Sequence, residues 1–84
     1  MKEPRFILYT ETYCPYCQRV LRFLPRSGLT EGADIELRSR DDNKEELVSR
    51  AGKTQIPYLV DTQKNVEMHE SNDIIAYLQS QVVS

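Results

Sequence analysis

The sequence predicts a single α/β domain with the element order β-α-β-α-β-β-α. Its 84 residues leave room for one hydrophobic core, so we expect residues 1–84 to form one domain. Short apolar runs alternate with longer stretches of helical periodicity, and polar or glycine-containing turns separate them. The composition, 39% hydrophobic and 29% charged, is typical of an ordinary globular protein.

The first half of the chain predicts a β-α-β unit. Residues 5–9 form a short apolar run that is typical of a buried strand. Pro15 suits the first position of a helix, and Pro25, Ser27 and Gly28 are expected to end that helix. Residues 33–38 alternate between apolar and polar as a half-exposed strand does. Such a unit predicts two parallel strands joined by a right-handed crossover.

A second helix is predicted over residues 43–51. Asp42 and Glu45 have the spacing of a capping box at its start, and Gly52 is expected to stop it. Three apolar residues are expected to form its inner face: Leu47, Val48 and Ala51.

The last third of the chain predicts a hairpin and a third helix. Residues 58–60 and 66–68 form the strands, and residues 61–65 form a polar turn between them. Ser71 is a good N-cap for a final helix. The hairpin adds antiparallel strands, so we expect a four-stranded mixed sheet with helices on both faces.

Charge and hydropathy exclude several functions. The best apolar run covers only residues 6–9, whereas a membrane helix needs about 20, so no membrane association is expected. No apolar stretch of signal-peptide length follows the first basic residues, which favours a cytoplasmic location. A net charge of −2 argues against nucleic acid as a partner.

The pair Cys14 and Cys17, separated by Pro15 and Tyr16, is the most informative feature. A zinc site needs four ligands, and the chain offers only these cysteines and His69, so no metal is expected. A structural disulfide would close too short a loop to stabilise the fold by more than about 2 kcal/mol. A Cys-x-x-Cys beside a β-α-β pattern is typical of a redox motif.

The predicted helix start gives the two thiols different roles. Cys14 precedes the helix, where unpaired N–H groups and the helix dipole favour a thiolate. Cys17 lies one turn later and nearer the interior, so burial should keep its pKa higher. We therefore expect Cys14 to be the nucleophile that attacks a foreign disulfide, and Cys17 to resolve the mixed disulfide.

Three blocks, residues 12–17, 52–57 and 70–73, resemble those of dithiol glutaredoxins in order and spacing. The resemblance covers essentially the whole domain and implies a thioredoxin fold in its compact glutaredoxin form. It implies reduction of protein disulfides and of glutathione mixed disulfides, within electron transport and cell redox homeostasis. Glutathione would be electron donor and co-substrate, with no permanently bound cofactor. The implied protein partners are disulfide-containing or glutathionylated proteins, among which ribonucleotide reductase is a family possibility, and we expect a monomer.

The same resemblance implies a glutathione site. Pro57 is expected to be cis and to present the backbone of Ile56 beside Cys14, where glutathione pairs with it like an added strand. The start of the final helix offers N–H groups to the γ-glutamyl carboxylate. Pro15 and Tyr13 are expected to be structural. The expected glutathione-binding residues are Tyr16, Thr54, Gln55, Ile56, Pro57, Glu70, Ser71, Asn72 and Asp73.

Two departures from the glutaredoxin pattern qualify this prediction. Glu11 stands where many members have Lys or Arg, so Lys53 or an arginine of the first helix would have to replace that charge. Glu70 and Ser71, followed by Asp-Ile-Ile-x-Tyr-Leu, resemble instead the N-terminal domain of glutathione transferases, where Glu-Ser holds the γ-glutamyl group. No second helical domain is expected after Ser84, and a transferase normally activates glutathione with a hydroxyl. The motif therefore indicates glutathione recognition and not transferase activity.

Other interpretations stay open at this point. A redoxin of the same fold could take electrons from a reductase protein, which Glu11 favours and Glu70 opposes. A module that bridges an iron–sulfur cluster is disfavoured by Pro15. His69 is expected to be a surface residue before the final helix. The basic stripe on the first helix is expected to be a solvated face; it comprises Arg19, Arg22 and Arg26.

Overall fold

The computed structural model describes residues 4–82 and has the predicted element order. The elements are β1 (Phe6–Thr10), α1 (Pro15–Ser27), β2 (Ile35–Ser39), α2 (Lys44–Ala51), β3 (Tyr58–Asp61), β4 (Val66–Met68) and α3 (Ser71–Val82). No helix in this part of the chain is long and apolar enough to cross a membrane.

The sheet has the strand order β2-β1-β3-β4, and its mixed character was correctly predicted. β1 pairs in parallel with β2 and antiparallel with β3, and β4 pairs antiparallel with β3. β1 is therefore a central strand, and all five of its residues are buried. Because β1 and β2 run in parallel, the segments that follow them leave the sheet at the same edge.

Helices cover both faces of the sheet, as predicted. Side chains alternate along a strand, so Phe6 and Leu8 point to one face while Ile7 and Tyr9 point to the other. On the first face they pack with residues of α1 and α3: Val20, Leu24, Ile74 and Leu78. On the second face they pack against Leu47 of α2.

Two predictions about helix ends were wrong. Pro25 does not end α1 but lies inside its last turn, where its missing N–H removes only one helical hydrogen bond. The stop is Gly28, whose φ of 86° is the left-handed conformation that glycine adopts without strain. Ser71 is the first residue of α3 and not its cap, since the N–H of Ile74 donates to the carbonyl of Glu70 (2.8 Å).

The start and inner face of α2 also differ from expectation. Asn43 precedes the helix in place of Asp42 and makes no side-chain cap; its Nδ2 donates back to the carbonyl of Ser39 (2.8 Å). Val48 is exposed, because it lies about 100° around the helix from Leu47, which alone is fully buried. Gly52 ends the helix as predicted, and its N–H donates to the carbonyl of Val48 (2.8 Å).

Asp61 was expected in a polar turn but is the buried last residue of β3, with no exposed surface. Its carboxylate accepts hydrogen bonds from Nε and Nη2 of Arg5 (3.3 and 3.0 Å) and from the hydroxyl of Tyr77 (2.5 Å). Burial alone would raise the pKa of Asp61, but Arg5 and Tyr77 outweigh it and lower that pKa. This network joins the start of β1 and the end of β3 to α3.

Candidate active site

Cys14 lies immediately before α1, at the edge of the sheet where β1 ends. Its N–H donates to the carbonyl of Glu11 (3.3 Å), and its own carbonyl accepts from the N–H of Gln18 (2.9 Å). Nε2 of Gln18 also donates to the carbonyl of Thr12 (2.9 Å). These contacts fix the loop so that the half-buried, free thiol of Cys14 lies at the helix start.

The pKa of the Cys14 thiol is lowered from its ordinary value. Burial alone would raise it. Hydrogen bonds from the backbone N–H and thiol of Cys17 and from the backbone N–H of Tyr16 outweigh that effect, and the positive charge of Arg40 adds to them. The thiolate is therefore stabilised by the first turn of α1 and by one cation from another element.

Cys17 differs from Cys14 in its exposure and in the direction of its pKa shift. It is free and has no exposed surface. Burial raises its pKa, and so does the neighbouring Cys14, while the hydroxyl of Thr10 and the backbone N–H of Glu11 oppose the shift. The pair thus combines an accessible thiol whose pKa is lowered with a buried thiol whose pKa is raised.

A set of polar residues, here called the Arg40 cluster, joins the loop after β1 to the loop after β2. Oε2 of Glu11 accepts from Oγ of Ser39 (2.6 Å) and from the N–H of Asp41 (2.9 Å). Nη2 of Arg40 donates to the hydroxyl of Tyr13 (2.6 Å), and that hydroxyl donates to Asp41 (3.2 Å). The guanidinium also lies over the ring of Tyr13, 5.9 Å from its centroid.

The Arg40 cluster changes the interpretation of Glu11. The carboxylate is held by the neighbouring loop, and the cation that acts on Cys14 is Arg40 instead of Lys53 or an arginine of α1. Sequence reasoning missed Arg40. The available signal was the parallel pairing of β1 and β2, which brings the residues after both strands to one edge of the sheet.

A groove of about 260 Å³ brings together residues from three separate segments. Six of the nine residues expected to bind glutathione line it, together with His69: Tyr16, Gln55, Ile56, Pro57, Glu70 and Ser71. The other three, Thr54, Asn72 and Asp73, are exposed and do not line it. Thr54 instead borders a separate shallow depression beside Val48.

Backbone groups and a helix start face this groove. The Ile56–Pro57 peptide bond is cis, as expected. Within residues 4–82, no hydrogen bond engages the N–H or carbonyl of Ile56. Ser71, only 5% exposed, begins α3, so the first N–H groups of that helix lie at this end of the groove.

His69 is not the surface residue that was expected. It is half-buried, and its ring stacks on Tyr58 with centroids 4.6 Å apart. Burial lowers the pKa of His69, and the charge of Lys53 lowers it further, against the opposing effect of Glu70. Lys53 therefore lies close enough to add positive charge to the groove.

Within residues 4–82, no three side chains of His, Cys, Asp or Glu come together in one cluster. The basic stripe of α1 is exposed, as predicted, and borders a shallow depression away from the groove; it comprises Arg19, Arg22 and Arg26.

Residues 8–83 match a family model described as glutathione S-transferase, N-terminal domain. The chain belongs to this family. It is also 32% identical over 56 residues to a curated glutaredoxin of Pseudomonas aeruginosa, a match that spans 67% of this chain and 66% of the relative. Both parts of the resemblance stated from the sequence, to glutaredoxins and to the transferase domain, are thereby confirmed.

Solved structures show the same fold at low sequence identity. The holo form of glutaredoxin C1 from Populus tremula x tremuloides has a TM-score of 0.64 and 15% identity, over 95% of this chain and 87% of that one. A glutaredoxin from Archaeoglobus fulgidus has a TM-score of 0.63 and 23% identity, over 84% and 82%. The nitrogen regulation fragment of the yeast prion protein Ure2p has a TM-score of 0.68 and 19% identity, over 98% of this chain but only 38% of that one. The chain therefore has the predicted thioredoxin fold.

Proposed function

We propose that this domain is a glutathione-dependent thiol–disulfide oxidoreductase that reduces protein disulfides and glutathione mixed disulfides. One observation carries the proposal: a thiol with a lowered pKa at a helix start and a buried thiol one turn later flank Tyr16 in the sequence, and Tyr16 lines the groove. The accessible thiolate supplies the nucleophile, and the buried thiol supplies the resolving group. We expect the domain to act as a cytoplasmic monomer on disulfide-containing or glutathionylated proteins.

The proposed reaction is a sequence of thiol–disulfide exchanges. The Cys14 thiolate attacks one sulfur of the substrate disulfide, forms a mixed disulfide and releases the other sulfur as a thiolate, which takes up a proton. With a glutathionylated protein, the mixed disulfide holds glutathione, and a second glutathione thiolate releases it as glutathione disulfide. With a protein disulfide, Cys17 attacks Cys14, releases the reduced protein and leaves a Cys14–Cys17 disulfide. Two glutathione molecules then reduce that disulfide and are released together as glutathione disulfide.

The groove offers complementary groups for glutathione. The N–H and carbonyl of Ile56 can pair with the peptide backbone of the ligand as a neighbouring strand would. The N–H groups at the start of α3, beside Ser71, suit the γ-glutamyl carboxylate, and the carboxylate of Glu70 suits its ammonium group. The exposed ring of Tyr16, which lies between the two cysteines in the sequence, forms one wall of the groove.

The first experiment is turnover of the mixed disulfide of glutathione and mercaptoethanol, with glutathione, glutathione reductase and NADPH. Cys14→Ser should abolish turnover, because it removes the nucleophile. Cys17→Ser should keep this activity and lose reduction of a protein disulfide, because only the latter needs a resolving thiol. Folded, reduced protein without turnover would refute glutathione dependence, and activity with a thioredoxin-type reductase would then identify another electron donor.

A further inference from the structure

The hydroxyl of Thr10 makes no hydrogen bond to the rest of the fold within residues 4–82. Thr10 ends the central strand β1 and is 7% exposed. Its Oγ1 is buried and has no hydrogen-bond partner among the residues that the structure describes. An unpaired buried hydroxyl destabilises a fold, and the great majority of such groups are paired. Valine would fill the same space in a strand without that cost.

The unpaired hydroxyl lies beside the buried thiol of Cys17. Thr10 and the backbone N–H of Glu11 both favour the charged form of that sulfur against its burial. The neighbouring thiol of Cys14 is titratable and acts in the opposite direction. Since Thr10 is held in the central strand and Cys17 in the first turns of α1, this juxtaposition is fixed by the core.

We propose that Thr10 is a positioning residue for the resolving step, in which its hydroxyl donates a hydrogen bond to the Cys17 sulfur as negative charge develops there. A neutral thiol is a weak acceptor, so the hydroxyl gains little before the reaction. A thiolate is a charged acceptor and binds the same donor more strongly. The interaction therefore favours the charged form selectively, as preorganised donors do in other active sites.

This inference rests on the proposed dithiol function and concerns one exchange step. Cys17 loses its proton to solvent, and its thiolate attacks Sγ of Cys14 in the mixed disulfide. The bond between Cys14 and the substrate sulfur breaks, and that sulfur leaves with the electron pair and takes up a proton. The Cys14–Cys17 disulfide forms. Thr10 keeps its own proton throughout.

Stopped-flow reaction of the reduced domain with equimolar 5,5′-dithiobis(2-nitrobenzoate) isolates this step without glutathione. Attack by Cys14 releases one coloured thiolate, and attack by Cys17 on the resulting mixed disulfide releases the second. In Thr10→Val the second release should be about four-fold slower. The loss of one hydrogen bond to a charged group lowers the thiolate fraction about ten-fold, and the less stabilised thiolate is a better nucleophile, which offsets part of that loss. The pH profile of the second release should move to higher pH. The first release should be unchanged, because the variant leaves the helix start intact.

Matched variants separate this role from a structural one. Thr10→Ser retains the hydroxyl and should restore the second phase, whereas Thr30→Val removes an exposed hydroxyl from the loop before β2 and should leave both phases unchanged. If Thr10→Val does not fold, Thr10→Ala takes its place with the same expected slowing. A second phase within two-fold of wild type in the folded variant would overturn the inference. Loss of the second phase in the wild-type domain would instead refute the dithiol mechanism, and a failure of glutathione turnover alone would leave this readout intact.

Discussion

Replacement of Asp61 by asparagine tests the buried network at the end of β3. Five donors converge on the two carboxylate oxygens. Oδ1 accepts from Nε of Arg5 (3.3 Å) and from the N–H groups of Gln63 (3.0 Å) and Lys64 (3.3 Å). Oδ2 accepts from Nη2 of Arg5 (3.0 Å) and from the hydroxyl of Tyr77 (2.5 Å). The site therefore requires a group that accepts at both positions.

Asparagine accepts at only one of these positions. Its NH₂ group, placed at Oδ2, would face Nη2 of Arg5, which cannot accept, and the hydroxyl of Tyr77, which must rotate to do so. The variant loses the charge-assisted bond from Arg5 and weakens the bond from Tyr77. At 1.5–3 kcal/mol for a hydrogen bond to a charged group, we expect Asp61→Asn to lower the free energy of unfolding by about 3 kcal/mol. For a domain of this size that lowers the Tm by roughly 12–24 °C.

The same carboxylate predicts a pH dependence. The pKa of Asp61 is lower in the folded state than in the unfolded chain, so its contribution is present above the unfolded pKa of about 4 and is lost as the pH falls. Urea unfolding, followed by circular dichroism at pH 7 and at pH 3, measures both effects. Asp61→Asn should show a smaller acid loss than wild type, and Asp42→Asn, at an exposed carboxylate, serves as the control. A variant within about 0.5 kcal/mol of wild type at pH 7 would refute the reasoning.

Three further predictions concern the candidate active site. Arg40→Gln should raise the pKa of the Cys14 thiol, because it removes a nearby cation; the pH dependence of alkylation by iodoacetamide measures this. Glu70→Gln should raise the KM for glutathione by roughly five- to ten-fold in the mixed-disulfide assay, because a charged partner for the ammonium group is lost. At pH 7 iodoacetamide should modify Cys14 well before Cys17, which is buried and has a raised pKa; peptide mapping after timed quenching measures the order.

Each of these has a control and a contradicting result. Arg19→Gln removes an exposed cation of α1 and should leave the Cys14 pKa unchanged; an equal shift in both variants would mean that no specific contact is involved. Glu45→Gln removes an exposed carboxylate of α2 and should leave the KM unchanged. Equal alkylation rates at the two thiols would contradict the difference in burial between them.

The element order could be predicted from local patterns. The spacing of apolar residues and the position of turn residues determine helices, strands and their ends over a few neighbouring positions. The run at residues 6–9 and the stop at Gly28 are examples. Features that depend on tertiary contacts could not be predicted in this way. Val48 has the same hydropathy as a core residue, and only the packing of α2 on the sheet leaves it exposed. Asp61 is of a residue type that is typical of turns. Its carboxylate pairs with Arg5, which lies 56 positions earlier in the chain, and local sequence does not show that contact.

The candidate site also combines features that depend on local sequence with features that depend on tertiary contacts. The cysteine pair is local, so its spacing indicated both its place at a helix start and its chemistry. The groove joins residues 16, 55–57 and 69–71, and only family resemblance suggested that these segments meet. Arg40 and His69 were missed because their roles arise from which loops lie side by side, and neither belongs to a motif.

One contact near the ends of the described chain has a consequence for connectivity. Nη2 of Arg5 donates to Oε1 of Gln81 (2.6 Å), so the segment before β1 and the end of α3 already lie together. A circular permutant that joins these ends by a short linker and opens the exposed stretch at residues 30–34 would begin with β2 and end with α1. Joining ends that are already adjacent requires little loop-closure entropy. Such a chain would keep both cysteines at the same sheet edge although they would then fall near its C-terminus.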